Sequence, residues 1–305
     1  MIIEQMAAEL GLPVHFILSL ARTASHEYKA YQIPKRTGGF RLIHHPSKRL
    51  KALQRWLLSN VIEGLLLHPA AMAYRRNVSI FDNAKMHASS RYLLRMDLKN
   101  FFPSITQSDI VNYVLGRRSQ FAGWSPSDIV AFSGLVCRKS VLTIGAPTSP
   151  ALSNALCFEL DQQLQALSDK SKVIYTRYAD DLFFSTQQRD VLHELETKVS
   201  TIVSDLTLPA NLKLNAGKTR HSSKRGARRV TGVILGSDGN PHIGRKFKRK
   251  VRALVHTLDA LDESMRASLA GMIAYAAGFD PDFINSLIAK YGLPVVHKAM
   301  SPKLK

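Results

Sequence analysis

Two adjacent carboxylates are the residues whose types and spacing point most directly to chemistry. Asp180 and Asp181 follow Tyr178-Ala179, and apolar residues flank the group on both sides. This pattern predicts two strands that meet at a tight turn around Ala179-Asp180. Adjacent carboxylates repel each other unless a cation lies between them. The alternative is an ordinary surface turn with solvated acids, because acidic residues are common in turns.

A third acid supports the interpretation as a metal site. Asp97 ends the apolar segment Leu-Leu-Arg-Met-Asp-Leu, which has the pattern of a buried strand. Three acids at neighbouring strand ends suit phosphoryl transfer with two Mg²⁺ ions, one activating the attacking 3′-oxygen and one holding the triphosphate. Mg²⁺ prefers hard oxygen ligands and keeps some of its water, so few carboxylates suffice. The third acid and the apolar flanks favour this interpretation over a solvated turn.

The elements that must position these acids alternate between strands and helices. Apart from an amphipathic N-terminal helix, the pattern predicts a hairpin around Gly38-Gly39, a helix over 46–67, a helix capped by Ser149, and a hairpin turning at Asp238-Gly239. Three helices over 245–261, 265–279 and 282–292 would form a small lobe with a basic entrance. Strands that alternate with helices, together with hairpins, predict an α+β fold.

Composition limits the partners and the compartment. The chain of 305 residues has 42 Lys and Arg against 23 Asp and Glu, a formal charge of +19, which favours nucleic acid as the partner and an anionic membrane second. A hydrophobic content of 45% supports a packed core. No apolar run reaches the ~20 residues of a membrane span. Cys137 and Cys157 have no zinc-ligand spacing, so we expect reduced thiols in a cytoplasmic protein without a membrane partner.

Three motifs in order resemble the reverse transcriptase family over about residues 30 to 240. They are Tyr178-Ala179-Asp180-Asp181 (Y-x-D-D), residues 97–105 (D-x-x-x-F-F-x-x-I) and residues 145–150 (G-x-P-x-S-P). The resemblance implies an RNA-directed DNA polymerase that uses deoxynucleoside triphosphates. It also implies that the catalytic residues Asp97, Asp180 and Asp181, with the backbone carbonyl of Leu98, bind two Mg²⁺ ions, for which Mn²⁺ is an alternative.

A narrower resemblance is to bacterial retron reverse transcriptases. Residues 83–87 match their N-A-x-x-H segment, and residues 230–232 match their V-T-G segment. This likeness implies that the enzyme copies part of a dedicated structured non-coding RNA into multicopy single-stranded DNA. Priming would come from a 2′-hydroxyl of the RNA and give a branched RNA–DNA product, in anti-phage defence with an effector or toxin protein. The alternatives are a diversity-generating or abortive-infection reverse transcriptase, or a non-catalytic nucleic-acid scaffold.

The resemblance also implies a right-hand polymerase with an antiparallel sheet and helices in its palm. Residues 1–86 and 106–144 would be fingers, residues 87–105 and 145–236 the palm, and residues 237–305 a small helical thumb.

Four residues are predicted to bind the incoming nucleotide. Lys35 and Arg41 flank the predicted fingers hairpin, where cations can neutralise a triphosphate, although charged hairpin tips are also common. By resemblance, Phe102 is the steric gate that excludes a 2′-hydroxyl, and Gly145 begins the G-x-P segment. Ile144 stands where many family members have Gln, so no polar role is assigned to it.

A basic segment between residues 218 and 252 is predicted to follow the phosphates of primer and RNA. Contacts of this kind do not depend on base sequence and weaken in salt. The predicted RNA- or DNA-binding residues are Asn83, His87, Tyr178, Lys218, Arg228, Arg229, Arg245, Lys246, Lys248 and Arg249. For Asn83 and His87, an ordinary helix face with side chains at i and i+4 is an equal alternative.

Overall fold

The computed structural model of the chain describes residues 1–34 and 38–301. Its contacts divide it into two compact units. The first unit comprises residues 1–78 and 92–221, and the second comprises residues 79–91 and those from Ser222 onward. The predicted limits of fingers, palm and thumb follow a different division, and that assignment stays a prediction.

The helices and strands follow one another through both units. In chain order they are α1 (Ile2–Leu10), α2 (Val14–Thr23), β1 (Tyr28–Pro34), β2 (Phe40–Pro46), α3 (Lys48–Asn60), α4 (Ile80–His87), β3 (Tyr92–Asp97), α5 (Phe101–Ser104), α6 (Gln107–Gly116), α7 (Pro126–Val136), α8 (Ser149–Leu156), α9 (Phe158–Lys170), β4 (Ile174–Tyr178), β5 (Asp181–Thr186), α10 (Val191–Asp205), β6 (Arg220–Ser223), β7 (Arg228–Val230), β8 (Val233–Leu235), β9 (Pro241–His242), α11 (Arg245–His256), α12 (Glu263–Ala277), α13 (Pro281–Tyr291) and α14 (Leu293–Met300).

An antiparallel sheet with the order β4-β5-β3-β6 forms the centre of the first unit, which ends within β6. Five consecutive residues of β5, from Leu182 to Thr186, are buried, because α9 and α10 pack on the sheet. Strand β5 is therefore buried on both of its faces rather than on one. The strand ends of this sheet carry the predicted catalytic acids.

Polar side chains fix the starts of two helices of the first unit, α6 and α7. Thr106 with Asp109 and Ser125 with Asp128 form capping boxes at the starts of α6 and α7. Asp128 also accepts a hydrogen bond of 3.0 Å from the amide of Ile3, which attaches α1 to α7.

Three predicted helix limits need correction. The single N-terminal helix is two helices, because Gly11 adopts a left-handed conformation with φ 63° and ends α1. The helix predicted over 46–67 ends at Asn60 and is followed by a 3-10 turn at Ile62–Gly64. Helix α8 begins at Ser149, so its N-cap residue is Thr148 and not Ser149 as predicted.

In the second unit, α4 packs on a three-stranded antiparallel sheet of β7, β8 and β9. The predicted single hairpin is therefore a meander. It turns first at Thr231-Gly232, both with positive φ, and again between Leu235 and Pro241. The helices α11 to α14 share a separate core around Leu269, Ile273 and Leu287. A fourth helix, α14, was missed, because Gly292 ends α13 and Leu293 begins the next helix without a loop.

The predicted α+β class with antiparallel sheets is confirmed. Across the two described stretches of chain, no helix combines the length and the apolar character that crossing a membrane requires.

Candidate active site

Strand register brings the predicted catalytic acids together in the first unit. Asp97, the last residue of β3, pairs directly with Asp181, the first residue of β5. The amide of Leu98 donates a hydrogen bond of 2.8 Å to the carbonyl of Asp180. All three acids therefore lie at one end of the sheet, as their positions after apolar strands predicted.

The turn that carries Asp180 is a two-residue hairpin loop. Tyr178 pairs with Asp181, and Ala179 between them has φ 56°. A residue with a Cβ pays about 1–2 kcal/mol in this left-handed region. Such conformations concentrate at functional sites and persist where the surroundings fix them.

Two cations neutralise two of the acids. Lys218 Nζ lies 2.9 Å and 2.8 Å from the two oxygens of Asp97, and Asn215 Nδ2 lies 3.2 Å from one of them. Arg95 donates to both oxygens of Asp181 at 2.8 Å and 3.0 Å. The side chains of Arg95 and Lys218 are 45% and 59% exposed, so either can move into water at little cost.

The electrostatics of the acids favour a bound cation. Burial raises the pKa of the Asp180 carboxyl above its usual range, and the charge of Asp97 raises it further. Burial also raises the pKa of Asp181 to about 6, with Arg95 opposing the shift and Asp180 and Asp97 adding to it. Carboxylates that are partly desolvated and crowded in this way are stabilised in the charged form by positive charge.

The donor set suits a hard divalent ion such as Mg²⁺, because carboxylate oxygens are its preferred ligands. Within residues 1–34 and 38–301, however, no group of three or more His, Cys, Asp or Glu side chains is arranged to hold a metal ion. The ion pairs give a physical reason for the lack of such a group, because oxygens of Asp97 and Asp181 face Lys218 and Arg95. A metal ion at this position would take over the role of these cations.

A buried ion pair lies beneath the turn. Arg177 and Asp161 are both fully buried and are joined by hydrogen bonds of 2.7 Å and 2.6 Å. The hydroxyl of Tyr175 donates to the same carboxylate at 2.8 Å. Arg177 Nη1 also reaches Asn154 Oδ1 at 3.0 Å and the carbonyl of Ala179 at 3.4 Å. The pair thus connects helix α9 to the turn that carries Asp180.

Of the predicted nucleotide-binding residues, Phe102 packs among aromatic rings and Arg41 acts electrostatically on Asp180. Phe102 is half-buried, with its ring centre 5.4 Å from that of Phe101 and 6.3 Å from that of Tyr74. The charge of Arg41 acts to lower the pKa of Asp180, which shows that the two are within electrostatic range. Lys35 lies outside the described residues, so its prediction has no structural counterpart.

Gly145 has a packing reason to be glycine. Its φ is 111°, and an added Cβ would overlap the carbonyl oxygen of His44. The amide of His44 bonds to the carbonyl of Ile144 at 2.8 Å. The segment from 144 to 145 therefore lies against strand β2, and a side chain at Gly145 would separate them.

The structure places the two narrower motifs side by side in the second unit. Thr231 Oγ1 donates to the carbonyl of Ile80 at 3.1 Å. Arg228 donates to the carbonyls of Ala88, Ser90 and Gly236, with the last distance 2.8 Å. These bonds join both ends of α4 to the meander.

Three of the predicted nucleic-acid-binding residues are buried, which does not agree with a contact to nucleic acid. Asn83 and His87 are 0% exposed and Arg228 is 1% exposed. Their side chains therefore lie inside the second unit, where Arg228 satisfies backbone carbonyls rather than phosphates. Burial also lowers the pKa of His87 to about 3, so its imidazole is neutral. A structural role fits these residues better.

The other predicted nucleic-acid residues divide into exposed and paired cations. Arg229, Arg245, Lys246 and Arg249 are exposed. Lys248 is only 24% exposed and pairs with Asp280. Lys218 pairs with Asp97, and Tyr178 is half-buried at the end of β4. Whether each of them contacts nucleic acid stays a prediction.

Sequence reasoning missed Arg95, Asn215 and the Arg177–Asp161 pair. Arg95 stands two residues before Asp97 on an apolar strand, which places it on the same face of the sheet. That spacing was a usable signal. The partnership of Arg177 with Asp161 had none, because a helix and a strand must first pack together.

Comparison with known proteins agrees with this geometry. Residues 33–235 match the family described as "Reverse transcriptase (RNA-dependent DNA polymerase)". The chain is 37% identical to Retron Ec83 reverse transcriptase of Escherichia coli over 283 residues, which cover 90% of each chain. It is 30% identical to Retron Ec86 reverse transcriptase of the same organism, over 97% of this chain and 92% of the relative.

Among solved structures, apo telomerase of Candida tropicalis has the same fold, with a TM-score of 0.57 at 12% identity. The match covers 89% of this chain and 60% of the telomerase chain. This likeness confirms the predicted right-hand polymerase fold.

Proposed function

Since the chain belongs to the retron reverse transcriptases, we propose that it copies part of a dedicated structured non-coding RNA into multicopy single-stranded DNA. It is an RNA-directed DNA polymerase. The observation that carries the polymerase chemistry is the pairing of Asp97 with Asp181 beside Asp180 at one end of a buried sheet. A scaffold without activity would have no need for three acids in such a costly arrangement.

The three carboxylates would hold two Mg²⁺ ions, with Mn²⁺ as an alternative and the carbonyl of Leu98 as a further ligand. Bound divalent ions supply activation of the attacking hydroxyl and charge neutralisation of the triphosphate. Lys218 and Arg95, which pair with Asp97 and Asp181, would give way to the ions and would then be free to contact phosphates.

The residues around the acids would select and orient the incoming nucleotide. The ring of Phe102, held between Phe101 and Tyr74, would meet the sugar and exclude a 2′-hydroxyl. Arg41, within electrostatic range of Asp180, would neutralise triphosphate charge, as would Lys35. Gly145, which lets the backbone at 144–145 lie against β2, would contribute to the same nucleotide site.

The primer and the biological role are proposed by analogy with the same family. We expect synthesis to start from a 2′-hydroxyl of the RNA and to give a branched RNA–DNA product. The product would serve anti-phage defence together with an effector or toxin protein. The similarity to two retron enzymes over nearly the whole chain supports this part of the proposal. Purifying the protein from its host and sequencing the attached nucleic acid tests it, because a short DNA branched from RNA is expected.

The polymerase chemistry is tested with Asp181→Asn in a primer-extension assay on an RNA template. The substitution keeps the size of the side chain and removes a charge that a metal ion needs, so extension should fall by at least about 10³-fold. Asp190→Asn is the matched control, because Asp190 is an exposed acid of the same unit with a side chain 76% accessible. Equal extension by the two variants would refute the assignment.

A further inference from the structure

A cavity of about 620 Å³ opens in the second unit, and the polymerase chemistry leaves it without a role. Its walls come from separate elements: Phe81 of α4, Ile234 of β8, the first turn of α11, and Tyr275 and Phe279 at the end of α12 and just beyond it. Cavities of this size are typical of sites that enclose a small ligand or one group of a larger one. We call it the aromatic cavity.

One wall consists of aromatic rings that are still accessible. The rings of Phe81 and Phe279 stack with centres 5.2 Å apart at 22°, and Tyr275 meets Phe279 edge-on at 4.7 Å. Phe247 lies 5.5 Å from Tyr275. Tyr275 is 36% exposed, whereas Phe283 in the core of the same unit is 2% exposed. These rings therefore offer a surface on which another flat ring can stack.

The rim of the cavity is positively charged. Arg229, Arg245 and Lys246 are exposed lining residues, and none of the described carboxylates forms an ion pair with them. Lys248, in contrast, is neutralised by Asp280. Arg245 and Lys246 stand in the first turn of α11, at the positive end of the helix dipole, where cations are unfavourable unless an anion is near. The rim thus carries charge that the described protein does not balance.

We propose that the aromatic cavity takes up an unpaired base of single-stranded RNA, with the flanking phosphates on Arg245 and Lys246. A base presents a flat π-face to the rings, and its backbone presents the anions that the rim lacks. Single-stranded segments whose bases are free to leave the stack are the parts of an RNA that proteins bind in this way. The choice of RNA as the nucleic acid rests on the proposed function; the aromatic and basic character of the cavity does not.

The stacking half of the proposal is tested with the full-length chain and a fluorescent ten-nucleotide single-stranded RNA. Tyr275→Ala is compared with Met265→Ala, because both residues are exposed on α12 and Met265 does not line the cavity. Loss of one stacking ring should weaken binding at least about fivefold. Met265→Ala should bind as the wild type does. Thermal melting of both variants establishes that they are equally folded.

The ionic half is tested with Lys246→Gln and the matched control Lys290→Gln, an exposed lysine of α13 outside the cavity. Losing one phosphate contact to a single strand should lower the slope of log affinity against log salt by roughly 0.7. Tyr275→Ala should lower the affinity and leave the slope unchanged. An RNA that carries 2-aminopurine adds a direct signal, because stacking on a ring quenches its fluorescence, and Tyr275→Ala should weaken the quenching.

Equal affinities of Tyr275→Ala and Met265→Ala for the RNA would overturn the proposal. An equal loss of affinity for a fully paired RNA duplex and for the single strand on Tyr275→Ala would also overturn it, because a paired base cannot enter the cavity. Extension of an unrelated primer–template by the wild type is measured in parallel. Failure of extension refutes the polymerase chemistry alone, whereas normal extension with unchanged RNA binding by Tyr275→Ala refutes the cavity proposal alone.

Discussion

Replacing Asp161 by Ala should strongly destabilise the first unit. The substitution leaves the guanidinium of Arg177 buried at 0% exposure without its carboxylate, and it removes the acceptor of the Tyr175 hydroxyl. Removing one partner of a buried ion pair costs about 3–5 kcal/mol. A domain of this size loses about 2–4 °C of melting temperature per kcal/mol, so we expect a decrease of roughly 6–20 °C.

The control for this substitution is Asp169→Ala on the same helix, α9. Asp169 is exposed and accepts a hydrogen bond only from Gln165 among the described side chains, so its loss should change stability by less than about 0.5 kcal/mol. Differential scanning calorimetry of both variants measures the contrast. A melting temperature for Asp161→Ala within about 2 °C of that for Asp169→Ala would refute the reasoning.

A double variant separates stability from the position of the catalytic turn. Asp161→Leu with Arg177→Met removes both charges, and apolar replacement of a whole buried pair is often neutral or stabilising. Stability should therefore return, but the contact of Arg177 with the carbonyl of Ala179 is still lost. If the pair holds the turn, this variant melts near the wild-type temperature and extends primers more slowly. Wild-type extension would show that the pair serves stability alone.

Three further predictions concern the nucleotide site and the hairpin base. Phe102→Ala should admit ribonucleotides, measured as the ratio of ribonucleotide to deoxynucleotide incorporation; an unchanged ratio would place the gate elsewhere. Gly145→Ala should lower stability by about 1–3 kcal/mol in denaturant titration because its Cβ overlaps His44, whereas Gly116→Ala, with open space around it, should be tolerated. Glu27 bonds to Arg49 and Ser47, which lower its pKa from 4.5 to about 2. Its stabilising effect should therefore be complete above about pH 4.5 and disappear as the pH falls towards 2, so the stability difference from Glu27→Gln should shrink over that range.

The strands that carry the predicted catalytic acids could be derived from the sequence because local signals agree there. Apolar runs that end in Asp97 and surround Asp180-Asp181 define strands, and a two-residue turn joins β4 to β5. The pairing of Asp97 with Asp181, in contrast, joins strands that are far apart in the chain. The positive φ of Ala179 was not predictable, because alanine has no preference for that conformation. The turn depends on its surroundings, among them the bond from Arg177.

The second unit was harder to predict because it is assembled from distant segments. Helix α4 is separated by more than 130 residues from the strands on which it packs, and no local pattern links them. Arg228 therefore resembled a surface cation in a basic run, although it is buried and bonds to carbonyls at the end of α4. A high density of charged residues in the sequence predicts an exposed surface only where no helix or strand packs over those residues.

The role of Lys218 shows the same limit. Its position at the start of the basic segment indicated phosphate binding, and the chain then folds back so that Lys218 reaches Asp97. The 3-10 turn at Ala216–Lys218 and the way in which this segment packs beside β3 bring the two side chains together. The contact cannot be derived from the spacing of residues in the sequence.

The central claim is that Asp97, Asp180 and Asp181 jointly hold the divalent ions that DNA synthesis needs. Titration of Mn²⁺ followed by electron paramagnetic resonance, with primer, RNA template and a non-reactive nucleotide present, counts the bound ions directly. We expect two ions per chain for the wild type and for Asp190→Asn, and fewer for Asp97→Asn. The same number of bound ions in Asp97→Asn and the wild type would contradict the claim.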